Sequence, residues 1–215
     1  GSGNGIDQAR ERVAMSAIIQ TCACVVWDKN ATGARQCPEH HHIWRGAKRL
    51  TSVGRVVGLW PSEPCSSCHW PIYSNHLAGC PVKASIDNAG IRGKAVDELF
   101  CSYAMGTLAR IPAGTRQDVV NLFMKLQNWL DRQQFKTITT QVLLADEDSG
   151  GVCDMKMDGL LLDLKATYNV SYTHRLQVGG YVSLDAYMTG HGPEKAAILH
   201  VTERYPEAKL IPLDM

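Results

Sequence analysis

Hydrophobic and polar positions change period several times along this chain. Residues 5 to 20 run charged and then apolar at helical spacing. Residues 21 to 84 hold no steady period and are rich in Cys, His, Pro and Gly. Within them His42 to Val57 reads as strand, turn and strand, bent at Gly46-Ala47-Lys48. From Ser85 the pattern becomes that of an ordinary core. Ile86 to Leu108 predicts a helix, with Val96, Leu99, Phe100 and Tyr103 on one face. Thr115 to Phe135 predicts another, with Val119, Leu122, Phe123, Leu126, Trp129 and Leu130 as one stripe and Thr115 with Asp118 as a capping box. Thr137 to Ala145 is β-rich, a hairpin follows, and Ser171 can cap a helix running to about Met188. Ala196 to Thr202 and Lys209 to Leu213 read as closing strands. This order predicts an α/β fold with a mixed central sheet flanked by helices. Three regions follow: 1–20 as N-terminal helix or tag, 21–84 as a Cys/His-rich segment, 85–215 as the globular core.

The densest chemistry lies in Gly151 to Thr167. Asp158-Gly159 is a strong two-residue hairpin signal between strand-compatible residues. Closing there pairs Met157 with Leu160 and Met155 with Leu162, and sets Asp154 opposite Asp163. Alternation puts Lys165 on the face of Asp163. Two carboxylates and an amine then converge, an arrangement that a bound cation would make tolerable. Taken alone, Asp163-x-Lys165 is also a common solvated pair.

Composition narrows the partners. A 215-residue chain with 45% apolar content can bury one full core and a small appendage. The net charge of +1 means that nucleic acid, if bound, must meet a local basic surface. No apolar run reaches membrane-span length, and the charged start is a poor secretion signal. Gly1-Ser2-Gly3 reads as a cloning scar. Six of the eight cysteines precede residue 81 and lie among histidines. That clustering favours metal binding in a reducing compartment, so a cytoplasmic location is expected.

Gly151-Val152-Cys153-Asp154, then Asp163-Leu164-Lys165-Ala166-Thr167, then Gln177 and Tyr181 one helical turn apart, resemble the PD-(D/E)xK nuclease superfamily. Within it the motifs are similar to the RecB-like branch, which includes phage recombination exonucleases, over about residues 85 to 205. Ala166 is inserted before the threonine of that branch's D-x-K-T. Arg92-Gly93 followed by Asp97 resembles its R-G-x-x-x-H, with aspartate in the histidine position; Glu98 is the alternative ligand there. Ser52-Val53 resembles an S-V-T element of several phage members. The resemblance implies a Mg²⁺- or Mn²⁺-dependent DNA nuclease, most simply an exonuclease of recombination or repair type. Asp97, Asp154, Asp163 and the Leu164 carbonyl would hold the metal. Lys165 would orient the nucleophile or stabilise the transition state, with Gln177 and Tyr181 positioning DNA or supporting Lys165. DNA with free ends is the implied substrate, and a homo-oligomer or a single-strand annealing protein the implied partner, in host cytoplasm if phage-encoded. A site-specific endonuclease shares the same core.

The front segment carries metal-site spacing of its own. Cys65-x2-Cys68-x7-His76-x3-Cys80 can wrap a tetrahedral Zn²⁺, with His69 as a lesser alternative to His76. Cys22, Cys24, Cys37 and His40 can form a second site, where His41 and His42 compete. One shared site, or free buried cysteines, are the other readings. Four protein ligands leave no open position, so such zinc is structural. A zinc-stabilised nucleic-acid-binding module without catalysis is therefore the rival function. Arg45, Lys48, Arg49, Arg55, Arg92 and Lys94 are candidate phosphate contacts, and Trp44, Trp60 and Trp70 candidate stacking residues.

Overall fold

The computed structural model describes residues 34–36, 43–45, 48–57, 67 and 80–214. In chain order these form β1 (Ala34–Gln36), β2 (Ile43–Arg45), β3 (Lys48–Arg49), β4 (Thr51–Ser52), α1 (Val53–Val57) and α2 (Pro81–Ala104). There follow α3 (Gln117–Asp131), β5 (Ile138–Ala145), β6 (Ser149–Met157), β7 (Leu160–Lys165), α4 (Tyr172–Thr189), β8 (Lys195–His200) and β9 (Lys209–Pro212). The fold is the expected mixed sheet flanked by helices. The 5–20 helix lies outside the described residues.

The six-stranded sheet runs β4, β6, β7, β8, β9, with β5 on the other edge of β6. β6 and β7 are an antiparallel hairpin, and β7 and β8 are parallel. A parallel pair needs a long crossover, which α4 provides. β7 is the central strand and is buried almost throughout, which explains its near-continuous apolar sequence Leu160-Leu161-Leu162-Asp163-Leu164-Lys165. Two cores flank the sheet. One joins α2 and α3 to Met155, Met157, Leu162 and Leu199. The other joins α4 to Leu144, Cys153, Leu161 and Ile198.

Several local expectations need correction. Helix α2 starts at Pro81, whose fixed φ suits a first helical position. It therefore crosses the boundary that composition placed at residue 85. Its end comes at Ala104, before Gly106 at φ +69. The Thr115–Asp118 capping box does not form. Arg116 occupies the cap position, Thr115 donates its hydroxyl to Pro112 O, and the Asp118 carboxylate is taken by Arg116 and Val119 N. The strand-turn-strand reading of 42–57 holds only to Ser52. Val53 to Val57 coil instead, and Val53 packs so closely on α4 that a Cβ on Gly180 would lie 2.8 Å from its Cγ1. β4 pairs with Ser149 and Gly150 of β6, so part of the front segment belongs to the core sheet.

Candidate active site

The hairpin turn closes as its sequence requires. Asp158 and Gly159 take φ +40 and +82, the positive pair of a tight two-residue connection. Asp158 also accepts from Lys136 N and Thr137 N, tying the turn to the start of β5. Met157 faces Leu160 and Met155 faces Leu162, as expected. The ladder then stops, one pair short of Asp154 and Asp163. Asp154 Oδ2 instead accepts the Leu164 amide at 2.6 Å, so a side chain replaces a backbone acceptor.

The other edge of β6 breaks at the same point. Thr140 pairs with Met155 and Val142 with Cys153, but Gln141 and Asp154 between them do not pair. Gln141 stands at φ +52, a conformation that costs a non-glycine residue on the order of 1–3 kcal/mol. The break changes which face each strand presents. Ile138, Met155 and Met157 pack in the α2–α3 core, whereas Val142, Leu144 and Cys153 pack in the α4 core. Two strands thus exchange faces across one residue pair, and Asp154 sits at the exchange.

Around that point the acidic residues gather. Asp163 is 1% exposed, and its Oδ2 lies 2.6 Å from Lys165 Nζ. That contact pairs the charges without the alignment of a hydrogen bond, and Oδ2 has no aligned donor. Burial pushes the Asp154 carboxyl well above the usual carboxylate range, and the charges of Asp163 and Asp97 push it further. Burial also raises Asp163, with Lys165 opposing. Asp97 is raised by burial and held down in part by its hydrogen bonds to Cys101 and Gln141. Of the two α2 candidates, Asp97 lies within electrostatic reach of the cluster. Glu98 is exposed and pairs at 3.9 Å with Lys94.

On α4, Gln177 Nε2 donates to Tyr181 Oη at 2.8 Å. This leaves the buried Tyr181 hydroxyl its own proton to donate. Burial raises the Tyr181 phenol, and so does the charge of Asp163. The ring lies against Gly151, where a Cβ would come within 2.4 Å of Tyr181 Cε1. That contact explains the glycine three residues before Asp154.

Four neighbours escaped the reading of the sequence. Gln141 carries no sequence mark of its strained backbone. Cys101, one turn after Asp97, donates its thiol to Asp97 Oδ1 at 3.3 Å. His174 completes the expected Ser171 cap by accepting from Ser171 N through Nδ1, and Ser171-x-x-His174 is a capping-box spacing that could have revealed it. Burial first, then the charges of Lys165 and His200, lower His174 to about 4. His200 pairs in register with Lys165 and bonds Thr167 O through Nε2 at 2.8 Å.

Carboxylate oxygens are the donor type that a hard divalent cation prefers. Three carboxylates face one ammonium, and a buried carboxylate oxygen lacks an aligned donor. An oxygen-preferring ion would offset that charge. Among the described residues, no three or more His, Cys, Asp or Glu side chains are gathered closely enough to hold a metal ion as they stand. Waters would complete the shell, as Mg²⁺ prefers. Of the zinc candidates, Cys80 is buried at the start of α2. Cys65, Cys68 and His76, and Cys22, Cys24, Cys37 and His40, lie outside the described residues, as do Trp60, Trp70 and the side chains of Trp44, Arg45, Lys48, Arg49 and Arg55.

No protein-family model matches the chain, and none of the curated proteins does. Among solved structures, an alkaline exonuclease from Laribacter hongkongensis is similar at a TM-score of 0.38 and 12% identity, over 77% of this chain and 78% of that one. Its complex with dAMP gives 0.37 and 12%, over the same shares. A phage related exonuclease from Haemophilus somnus 129PT gives 0.28 and 18%, over 68% of this chain and 71% of that one.

Proposed function

We propose that this protein is a divalent-metal-dependent deoxyribonuclease that hydrolyses phosphodiester bonds, as an exonuclease of recombination or repair type. One observation carries the reading: Asp154 and the buried Asp163 lie within electrostatic reach of Asp97 and Lys165 where the sheet is broken on both edges of β6. Asp97, Asp154, Asp163 and the Leu164 carbonyl would hold Mg²⁺ or Mn²⁺. Such an ion supplies Lewis-acid polarisation of the phosphate and a water ionised at neutral pH. Lys165 offsets charge on the phosphate oxygens from beside Asp163. Tyr181 offers a hydroxyl proton to the same neighbourhood, and Gln177 holds that hydroxyl in place. DNA approaches from the carboxyl ends of the parallel strands β7 and β8, where ligand crevices of such sheets lie. Tyr168 stands exposed there under the Arg204 guanidinium, 4.4 Å from the ring centre. Cys65, Cys68, His76 and Cys80 would hold a structural Zn²⁺.

The test digests end-labelled linear DNA with wild type and Asp163→Ala in Mg²⁺ or Mn²⁺. Metal analysis is run on the same samples. Wild type should shorten the substrate and stop with EDTA. Asp163→Ala should lose activity by about a thousandfold, several kcal/mol of charge stabilisation, while keeping zinc. Resistance of covalently closed circles would identify an exonuclease. Wild type that leaves every DNA substrate intact in both metals would overturn the proposal.

A further inference from the structure

Gln141 spends conformational energy where a regular strand residue would do, and its amide reaches the acidic cluster. Its backbone sits at φ +52 in the middle of an eight-residue strand. Its ladder position is opposite Asp154, and neither residue pairs. Its Nε2 donates to Asp97 Oδ2 at 3.2 Å and lies 3.5 Å from Cys101 Sγ. Cys101 in turn donates to Asp97 Oδ1. Both oxygens of Asp97 are thus held by neutral donors. An amide nitrogen carries two hydrogens, so both of its contacts can be made together. Neutral donors fix a carboxylate without cancelling its charge. A lysine or arginine in the same place would cancel it. The sheet break, the strained residue and the orienting amide occur at one position.

We propose that Gln141 is a positioning residue that orients Asp97 toward the divalent cation that Asp154 and Asp163 would hold. This rests on the nuclease reading. The arrangement explains the strain, because a residue with regular strand dihedrals would keep the β5 ladder intact and close the gap in which Asp154 sits. Gln141 touches neither substrate nor metal and acts through Asp97.

Mn²⁺ affinity, measured by calorimetry on the full chain without DNA, is the readout. Gln141→Met keeps the shape and removes the donor. It should weaken Mn²⁺ binding by about 10- to 100-fold, the range for residues that orient ligands. Gln141→Gly relaxes the backbone and removes the amide, so it should weaken Mn²⁺ binding equally while melting no lower than wild type in EDTA. Saturating Mn²⁺ should restore most of the DNA cleavage in both. Unchanged Mn²⁺ affinity in the folded Gly variant would overturn the proposal, whatever the Met variant does. Wild type that binds Mn²⁺ and cuts DNA alongside such a variant would leave the nuclease reading standing. Wild type that neither binds Mn²⁺ nor cuts would overturn both.

Discussion

Asp154 ionises reluctantly, and that reluctance has a measurable sign. Its folded pKa is raised by burial and by its acidic neighbours, while the unfolded value is about 3.9. Between the two values the folded state keeps a proton that the unfolded state has released. The contribution to stability is then full below about pH 4 and is lost as pH rises through the folded value. His174 has the opposite sign. Its pKa falls to about 4 in the fold, so its contribution is present above about 6.5 and is lost as pH falls through the folded value. Subtracting a variant isolates the carboxylate. In EDTA, Asp154→Asn should gain melting temperature relative to wild type from pH 4 to 7. Mg²⁺ or Mn²⁺ should reverse that ranking at neutral pH, because binding requires ionised carboxylates. A difference that ignores both pH and metal would contradict the raised pKa. Gly151 is a second residue-scale case. Gly151→Ala drives a methyl into the Tyr181 ring and should cost about 1–3 kcal/mol in urea unfolding, a typical overpacking penalty. Tyr181→Phe removes only the partner of Gln177 and should cost about 1 kcal/mol.

Elements differ in how much of their structure their own residues specify. The hairpin was legible because Asp158-Gly159 tolerates two positive φ angles and few other dipeptides do. α4 was legible because Ser171 is a good cap. Replacing it with Ala should lower stability by about 0.5–2 kcal/mol in denaturant melts, without altering Mn²⁺ affinity. Asp163 and Lys165 were legible as a pair because alternation alone sets their face. What escaped depends on distant partners. α1 carries Val53, Val56 and Val57, residues that favour strands, yet the segment is helical where Val53 packs on Gly180. The α3 cap failed as a prediction because Arg116 competed for Asp118 and Thr115 found Pro112. The start of α2 was hidden by composition, which changes at Ser85 although Pro81 opens the helix. The break at Gln141 was least legible of all. Nothing in Ile-Thr-Thr-Gln-Val-Leu-Leu-Ala marks one residue for φ +52, because the cause lies across the sheet at Asp154 and on α2 at Asp97. The two carboxylates could be paired from the sequence, but the break between β5 and β6 beside Asp154 could not.

For the whole molecule, the proposed activity requires an acidic centre to receive a polyanion. Net charge of +1 gives no general attraction, so local cations must do the work. Arg92 and Lys94, expected as phosphate contacts, lie beside Glu203 and Glu98 at 3.4 and 3.9 Å. Surface pairs of this kind hold weakly, but their nearby carboxylates also repel phosphate. Arg204 differs. It is exposed, stacks on Tyr168 and bonds neutral Asn169 at 3.4 Å. It stands in the loop after β8, beside the segment that follows Lys165. A phosphate following the carboxyl ends of β7 and β8 would meet this guanidinium, which pairs with no carboxylate among the described residues. Arg204→Ala should therefore weaken DNA binding and lower the slope of log Kd against log salt by about 1, the effect of losing one phosphate contact. Its kcat on saturating DNA should change little, since Arg204 pairs with no member of the acidic cluster. Fluorescence anisotropy across a salt series, with Ca²⁺ in place of Mg²⁺, measures the slope, and end-labelled digestion measures kcat. If Arg204→Ala left the slope unchanged while Arg92→Ala lowered it, DNA would enter past α2, and the carboxyl ends of the parallel strands would not be its path.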